Sequence, residues 1–204
     1  MNTYRYFALH KPRGMVSQFV SPDPVRLLGE IEFDFPPGIH AIGRLDADSE
    51  GLLLLTTDGR VTRLLFKSEV PHQRTYLVRV KGTVKEESLD LLRSGIILTG
   101  KGNGDFQTLP CTAEIVGEPA ALLPIPGQEP QFPHTWLRLN LVEGKYRQVR
   151  KMVASIGHRC QRLVRVAIED LELGDLPPGE VREYTADEFF RLLHLYEAPN
   201  TKLP

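Results

Sequence analysis

The sequence is short of cysteine, of long apolar runs and of net charge, and each shortage removes a class of function. Cys111 and Cys160 are the only two cysteines in 204 residues, too few for a disulfide framework and not spaced as metal ligands, so thiols packed in the interior in a reducing cytoplasm fit them. No stretch approaches the ~20 apolar residues of a membrane span, and the N-terminus carries no apolar signal region. The formal net charge is −1 with a pI near 6.6. A neutral total argues against a nucleic-acid partner by itself, but what such a partner needs is a local basic face. The remainder is ordinary globular composition, 41% hydrophobic and 25% charged, on a chain long enough for one good-sized core or two small ones.

Residues 43–59 read Gly-Arg-Leu-Asp-Ala-Asp-Ser-Glu-Gly-Leu-Leu-Leu-Leu-Thr-Thr-Asp-Gly, and the rest of the chain is organised around them. Asp46, Asp48 and Glu50 crowd the approach to leucines 52–55, a continuous apolar run between Gly51 and the Asp58-Gly59 turn signal. Such a run reads as a strand buried on both faces, with the acids on the loop that feeds it. A carboxylate on a loop held by a rigid scaffold can face a cleft, where catalytic acids are found. Three readings compete. Asp46-x-Asp48-x-Glu50-Gly51 matches the opening half of a calcium loop, but Thr57 stands where the twelfth position should be a bidentate Glu. A solvated turn with Asp48 and Glu50 outside is the common fate of such a cluster. The third is a glycoside or nucleoside hydrolase using Asp46 with Asp48 or Glu50. Spacing does not choose among them.

Elsewhere the patterns predict strands at residues 4–9 and 16–20, a short helix within 27–35, and a strand at 39–42 entering the acidic loop. Asp58 caps a helix to residue 66, and residues 74–80 alternate as a strand with Arg74, Tyr76, Val78 and Val80 on one face. Thr83-x-x-Glu86 has the form of a capping box for a helix that Gly95 ends. The glycine-rich stretch 100–104 is a hairpin loop; it lacks the Lys-Ser/Thr and following helix of a phosphate loop. Strands follow at 111–116 and 136–142, with a proline-rich loop at 118–133 between them and Leu137, Leu139 and Leu141 on the buried face. A helix over 146–156, a strand over 161–168 and a helix over 186–195 capped by Thr185-x-x-Glu188 complete the chain. Elements intermingle without strict alternation, which predicts an α+β fold with a mixed, mainly antiparallel sheet flanked by helices.

Residues 145–168 contain no acid, yet hold Lys145, Arg147, Arg150, Lys151, Arg159, Arg162 and Arg165. A solvated helix face usually mixes Glu with Lys and Arg. A stripe of one sign on a neutral protein is instead the footprint of phosphate contacts, which favours RNA as partner. Arg150 has a second use, since a guanidinium that stays charged can hold a desolvated catalytic carboxylate ionised; Arg147, one turn away, is the alternative.

The signature at 43–59 resembles that of the ribosomal RNA pseudouridine synthases of the small-subunit type. Four further segments in matching order support it: His10-Lys11-Pro12-Arg13-Gly14, Arg74-Thr75-Tyr76-Leu77-Val78, residues 143–152 (Glu-Gly-Lys-Tyr-Arg-Gln-Val-Arg-Lys-Met) and Pro178-Gly179-Glu180-Val181-Arg182. The resemblance implies isomerisation of a uridine in ribosomal RNA, with Asp46 as catalytic carboxylate, Tyr76 stacking on the target base and Arg150 as the arginine that keeps the carboxylate charged. The reading of Tyr76 as a core tyrosine stays open beside it. Arg44 would fill the space of the flipped base, and Lys145, Arg147, Lys151, Arg159, Arg162 and Arg165 would bind RNA. No cofactor or metal is implied. The chain resembles the short branch of the family, which lacks a separate N-terminal S4-like RNA-binding domain, so residues 1–204 are expected to form one catalytic domain of two subdomains around a cleft. That branch is typified by an enzyme of the large subunit, which favours 23S over 16S RNA; a cytoplasmic monomer is the family expectation. A non-catalytic RNA-binding module on the same fold is the rival from another class.

Overall fold

The computed structural model describes residues 4–66, 70–100, 104–120, 122 and 132–195. In chain order the elements are β1 (Tyr6–Lys11), β2 (His40–Ile42), β3 (Glu50–Thr56), α1 (Arg60–Phe66), β4 (Arg74–Lys81), α2 (Glu86–Ser94), β5 (Ile97–Leu98) and β6 (Phe106–Gln107). They continue with β7 (Thr112–Val116), β8 (His134–Leu141), α3 (Gln148–Ser155), β9 (Cys160–Ile168), β10 (Leu171–Glu172), β11 (Val181–Tyr184) and α4 (Ala186–Leu192). The chain forms two compact units, one of Met1–His72 with Ala167–Pro204 and one of Gln73–Val166. None of the described helices is long and apolar enough to cross a membrane.

In the first unit β1 lies between β11 and β3, antiparallel to both, and β2 pairs with the end of β3. Leu52, Leu53, Leu54 and Leu55 are all fully buried, as a strand covered on both faces requires, and each such side chain is worth about 1.5–3 kcal/mol of burial. Phe7, Leu9, Leu53 and Leu55 meet Met15, Leu28, Ile31 and Leu45 in one cluster. Tyr6 packs its ring 5.0 Å from Phe189 of α4. The Thr185 capping box is present, with the Glu188 amide donating to Thr185 Oγ1 at 3.3 Å and the Thr185 amide to Glu188 Oε2 at 3.1 Å.

The second unit is a sheet in the order β9-β4-β8-β7. β8 runs antiparallel to β4 and to β7. Its core gathers Val78, Val80, Leu89, Leu92, Leu137, Leu139, Leu141, Val149, Met152 and Val153. The leucine face of β8 is buried as its alternation predicts, although Trp136 on the opposite face is only 4% exposed. Helices and antiparallel ladders are interleaved in the manner expected of an α+β chain.

Several local expectations differ. Residues 16–20 are not a strand: Met15 and Arg26 make an isolated parallel bridge and Leu28 donates to the Gln18 carbonyl, because the prolines at 22 and 24 turn the chain before a ladder can extend. The helix within 27–35 is a single 3-10 turn, Leu28–Glu30. α2 starts after Lys85 without a side-chain cap, two residues past the Thr83 that the capping box would have placed there, and the Val84 amide donates to Thr135 Oγ1. α3 begins at Gln148, two residues later than its periodicity suggests, because Arg147 is left-handed at φ 52°. Residues 101–103 of the glycine-rich loop and 121 and 123–131 of the proline-rich loop lie outside the described residues.

Candidate functional site

Asp46 belongs to the first unit, and the chain around it is fixed from both sides. Ser17 Oγ accepts from the Leu45 amide and donates to the Leu45 carbonyl, each at 2.9 Å. The Gly14 amide donates to the Ala47 carbonyl at 2.6 Å. The Asp46 carbonyl itself accepts from the Ser49 amide at 3.0 Å, closing a turn. Both neighbours of the aspartate are thus tied to residues 14–17, and that segment is itself held by Lys11. Fully buried, Lys11 donates from Nζ to the carbonyls of Pro12 and Met15 at 2.9 and 2.6 Å.

Gly43 enters the loop at φ 72°, and a Cβ there would stand 2.8 Å from the Phe66 ring, so both conformation and space call for glycine. Leu45 is 8% exposed and anchors the loop into the apolar cluster, which leaves Asp46 half-buried and Arg44 exposed. Glu50 departs from expectation. It is the first residue of β3 and is buried, so the acidic loop carries Asp46 and Asp48 but not Glu50, and Asp48 is half-buried. The solvated turn with both outer acids in water is not what the chain forms.

Asp58, the last acid of the stretch, has a structural task. Its carboxylate accepts from the Arg60 amide at 3.1 Å, from Arg60 Nε and Nη2 at 2.9 and 2.8 Å and from the Tyr6 hydroxyl at 3.0 Å. The Arg60 guanidinium beside it holds the Asp58 carboxyl below the usual carboxylate range. Burial, with the bond to Asp58, pushes Tyr6 up to about 12. Asp58 therefore opens α1 and ties it to β1, in agreement with its expected capping role.

In the second unit Tyr76 sits on β4 opposite Leu139 and is 9% exposed within the apolar cluster. α3 buries Gln148, Val149, Met152 and Val153 and leaves Arg150 half-buried, with Nη1 donating to Cys160 Sγ at 3.4 Å. An open concavity of about 450 Å³ is lined by Arg147, Arg150, Ala154, Gly157, His158, Arg159 and Cys160. His158 Nδ1 donates to the Lys81 carbonyl at 2.9 Å. The lining carries three guanidiniums and no carboxylate, a setting suited to a phosphate oxygen.

The basic run does not lie on one surface. Lys145 and Arg159 are exposed and Arg147 and Lys151 half-buried, whereas Arg162 and Arg165 are 4% and 3% exposed on β9 and are engaged inside the protein. The solvent-facing footprint is narrower than seven charges in a row imply. Sequence patterns give no hint of Ser17, whose bond to Leu45 spans 28 residues, nor of His158 and Cys160 in the concavity; closeness to the Arg147-x-x-Arg150 pair is the one signal that could have drawn them in.

A family model described as RNA pseudouridylate synthase matches residues 5–155. The ribosomal large subunit pseudouridine synthase E of Xanthomonas axonopodis pv. citri is 42% identical over 178 residues, 83% of this chain and 88% of that protein. The ribosomal small subunit pseudouridine synthase A of Escherichia coli K12 is 31% identical over 185 residues, 90% of this chain and 72% of that protein. Among solved structures, a crystal structure of a pseudouridylate synthase matches with a TM-score of 0.76 at 31% identity, covering 94% of this chain and 75% of that one.

Proposed function

The chain belongs to the RNA pseudouridylate synthase family, and we propose that it converts a uridine of ribosomal RNA to pseudouridine with Asp46 as the catalytic carboxylate. The observation that carries this reading is the double anchoring of Asp46. Both of its neighbours are tied by hydrogen bonds to residues 14–17 while its side chain remains half-buried at the head of a leucine-filled strand. A charge that must meet a reacting atom needs such a fixed main chain, because small displacements cost rate steeply.

The reaction breaks the bond from uracil N1 to ribose C1′ and makes one from C5 to C1′. The C5 hydrogen leaves to solvent and N1 gains a proton, so atoms balance without an oxidant or second substrate. Asp46 can attack C1′, attack C6 of the uracil or remove the C2′ proton, and each route uses the carboxylate form. The target base must leave its stack at a cost of a few kcal/mol. Tyr76 is the residue we assign to stack on it, and Arg150 the positive charge that favours an ionised carboxylate. Lys145, Arg147, Lys151 and Arg159 are the cations assigned to phosphates; Arg44 is assigned to the space a flipped base vacates.

Large-subunit RNA is the proposed target, since identity to the large-subunit relative is 42% against 31% for the small-subunit one. We place the protein in the cytoplasm as a monomer, which sedimentation at micromolar concentration checks. The function itself is tested by tritium release from ribosomal RNA labelled at C5 of uridine. Release by the wild type, with pseudouridine mapped in 23S RNA, is expected. Liberation of free uracil would identify a hydrolase instead, and RNA binding with neither product from free RNA or immature subunits would identify a binding module.

A further inference from the structure

The turn before α3 holds an aromatic ring out in solvent on a tightly tied backbone. Tyr146 is 68% exposed. On one side of it Glu143 Oε1 accepts from the Leu109 amide at 2.8 Å and from Gln148 Nε2 at 2.7 Å, and Gln148 Oε1 accepts from the Lys145 amide at 2.9 Å. On the other side Arg147 is left-handed, and its carbonyl accepts from the Lys151 amide at 3.0 Å. A single exposed aromatic is unremarkable on a protein surface; a rigid mount and cationic neighbours give this one its meaning. Lys145 Nζ lies 4.2 Å from the centre of the Phe106 ring. Lys151 Nζ lies 5.8 Å from the Tyr146 ring and donates to the Thr99 carbonyl at 3.0 Å, which fixes that ammonium beside the exposed ring.

Aromatic faces next to fixed cations are how proteins hold unpaired nucleotides: the ring takes the base and the cations take its phosphates. We propose that Tyr146 is a stacking platform for an unpaired base of the RNA substrate, with Lys145 and Lys151 contacting the flanking phosphates. The inference rests on the reading that RNA is the substrate and adds a second base contact to it, separate from the one assigned to Tyr76. Flipping one base leaves its neighbours without a stacking partner, and an exposed ring on a rigid turn can supply one.

The test uses full-length protein, a fluorescein-labelled single-stranded oligouridylate, the same oligomer with abasic riboses and a blunt RNA duplex of equal length. Tyr146→Ala should weaken oligouridylate binding about tenfold, with little change toward the abasic strand or the duplex. Its salt slope should match wild type, because no phosphate contact is lost. Tyr146→Phe should bind as wild type and Tyr146→Leu as the alanine variant, since the aromatic face and not apolar area is what a base requires. Lys145→Ala should lower the salt slope by about 0.7 while keeping the preference for uridine over abasic strand. Equal melting temperatures exclude a folding defect at so exposed a position. Oligouridylate affinity unchanged in Tyr146→Ala, or leucine binding as well as phenylalanine, would overturn the proposal; weaker association of Tyr146→Ala with ribosomal protein in place of RNA would overturn it too. Oligomer binding that depends on Tyr146 without any pseudouridine formed would remove the isomerase reading and leave the platform, and the converse result would do the opposite.

Discussion

In the first unit it is the main chain around Asp46 that is held: the Leu45 peptide is bracketed by the Ser17 hydroxyl, the Ala47 carbonyl accepts from the Gly14 amide, and the Asp46 carbonyl closes a turn on Ser49. In the second, residues 145–147 are fixed by side chains, with Glu143 and Gln148 holding the turn that presents Lys145, Tyr146 and Arg147. The difference suits the tasks. A single carboxylate that must meet one reacting atom gains from having the peptides on both its sides held. A set of cations and rings that grips a flexible polymer can be held through side chains, because several modest contacts share the binding. Variants at the mount of Asp46 should therefore act on rate and those at the 145–147 turn on affinity.

The sharpest check on that division is Asp46→Asn, which keeps shape and removes the charge. Turnover should fall at least about a thousandfold while affinity for RNA stays near wild type. Comparable losses in both, or substantial turnover, would dissolve the division. Asp58→Ala should come next and should act on neither rate nor affinity but on stability. It leaves the buried Tyr6 hydroxyl without its acceptor and α1 without its opening bonds, at about 2–3 kcal/mol in urea unfolding; the exposed Arg60 adds little to that.

The same cluster sets a pH dependence. The Asp58 carboxyl lies below its ordinary value, so its contribution is whole above about pH 4 and is lost as pH falls through the depressed value. Tyr6 is raised to about 12, so its contribution is whole below about pH 10 and fades as pH climbs past that toward 12. His194 is raised by its bond to Asp170, so its part is whole below the ordinary histidine value and is lost as pH rises through the higher folded value. Titration of unfolding free energy should show acid loss in wild type that is reduced in Asp58→Ala.

Much of this was legible from sequence, and the misses have physical causes. Strand β3 was, because four leucines between turn signals leave little alternative, as was the cap of α4, whose bonds are local. Glu50 reads as a loop acid because it stands beside two others, whereas the strand begins one residue before Gly51 and takes it inside. Ser17 was invisible, since nothing local marks a hydroxyl that will bracket a peptide 28 positions away. Ser17→Ala tests whether that bracket matters to the reaction. It should lower kcat about tenfold with KM little changed, and Ser17→Thr should restore part of the loss; a fall in affinity with kcat intact would move Ser17 to the binding side of the comparison.

The smallest expected effect concerns the arginines of the basic run. Arg159 is exposed and lines the concavity, whereas Arg165 is 3% exposed on β9, a strand buried over most of its length. Spacing could not separate them, because charge counting assumes that every cation in a run reaches water. Phosphate contact by Arg159 releases counterions, so Arg159→Ala should lower the salt slope of RNA binding by about 0.7–0.9 with no shift in melting temperature. Arg165→Met should do the reverse, leaving the slope unchanged and moving the melting temperature, because a buried guanidinium answers to its internal partners and not to solvent ions. If both variants lower the slope equally, β9 opens to RNA and the second unit binds through its interior strand as well as its surface. If neither does, the phosphate contacts fall to Lys145 and Lys151 on the turn before α3 and along its exposed side, and the concavity is left to the reacting nucleotide alone.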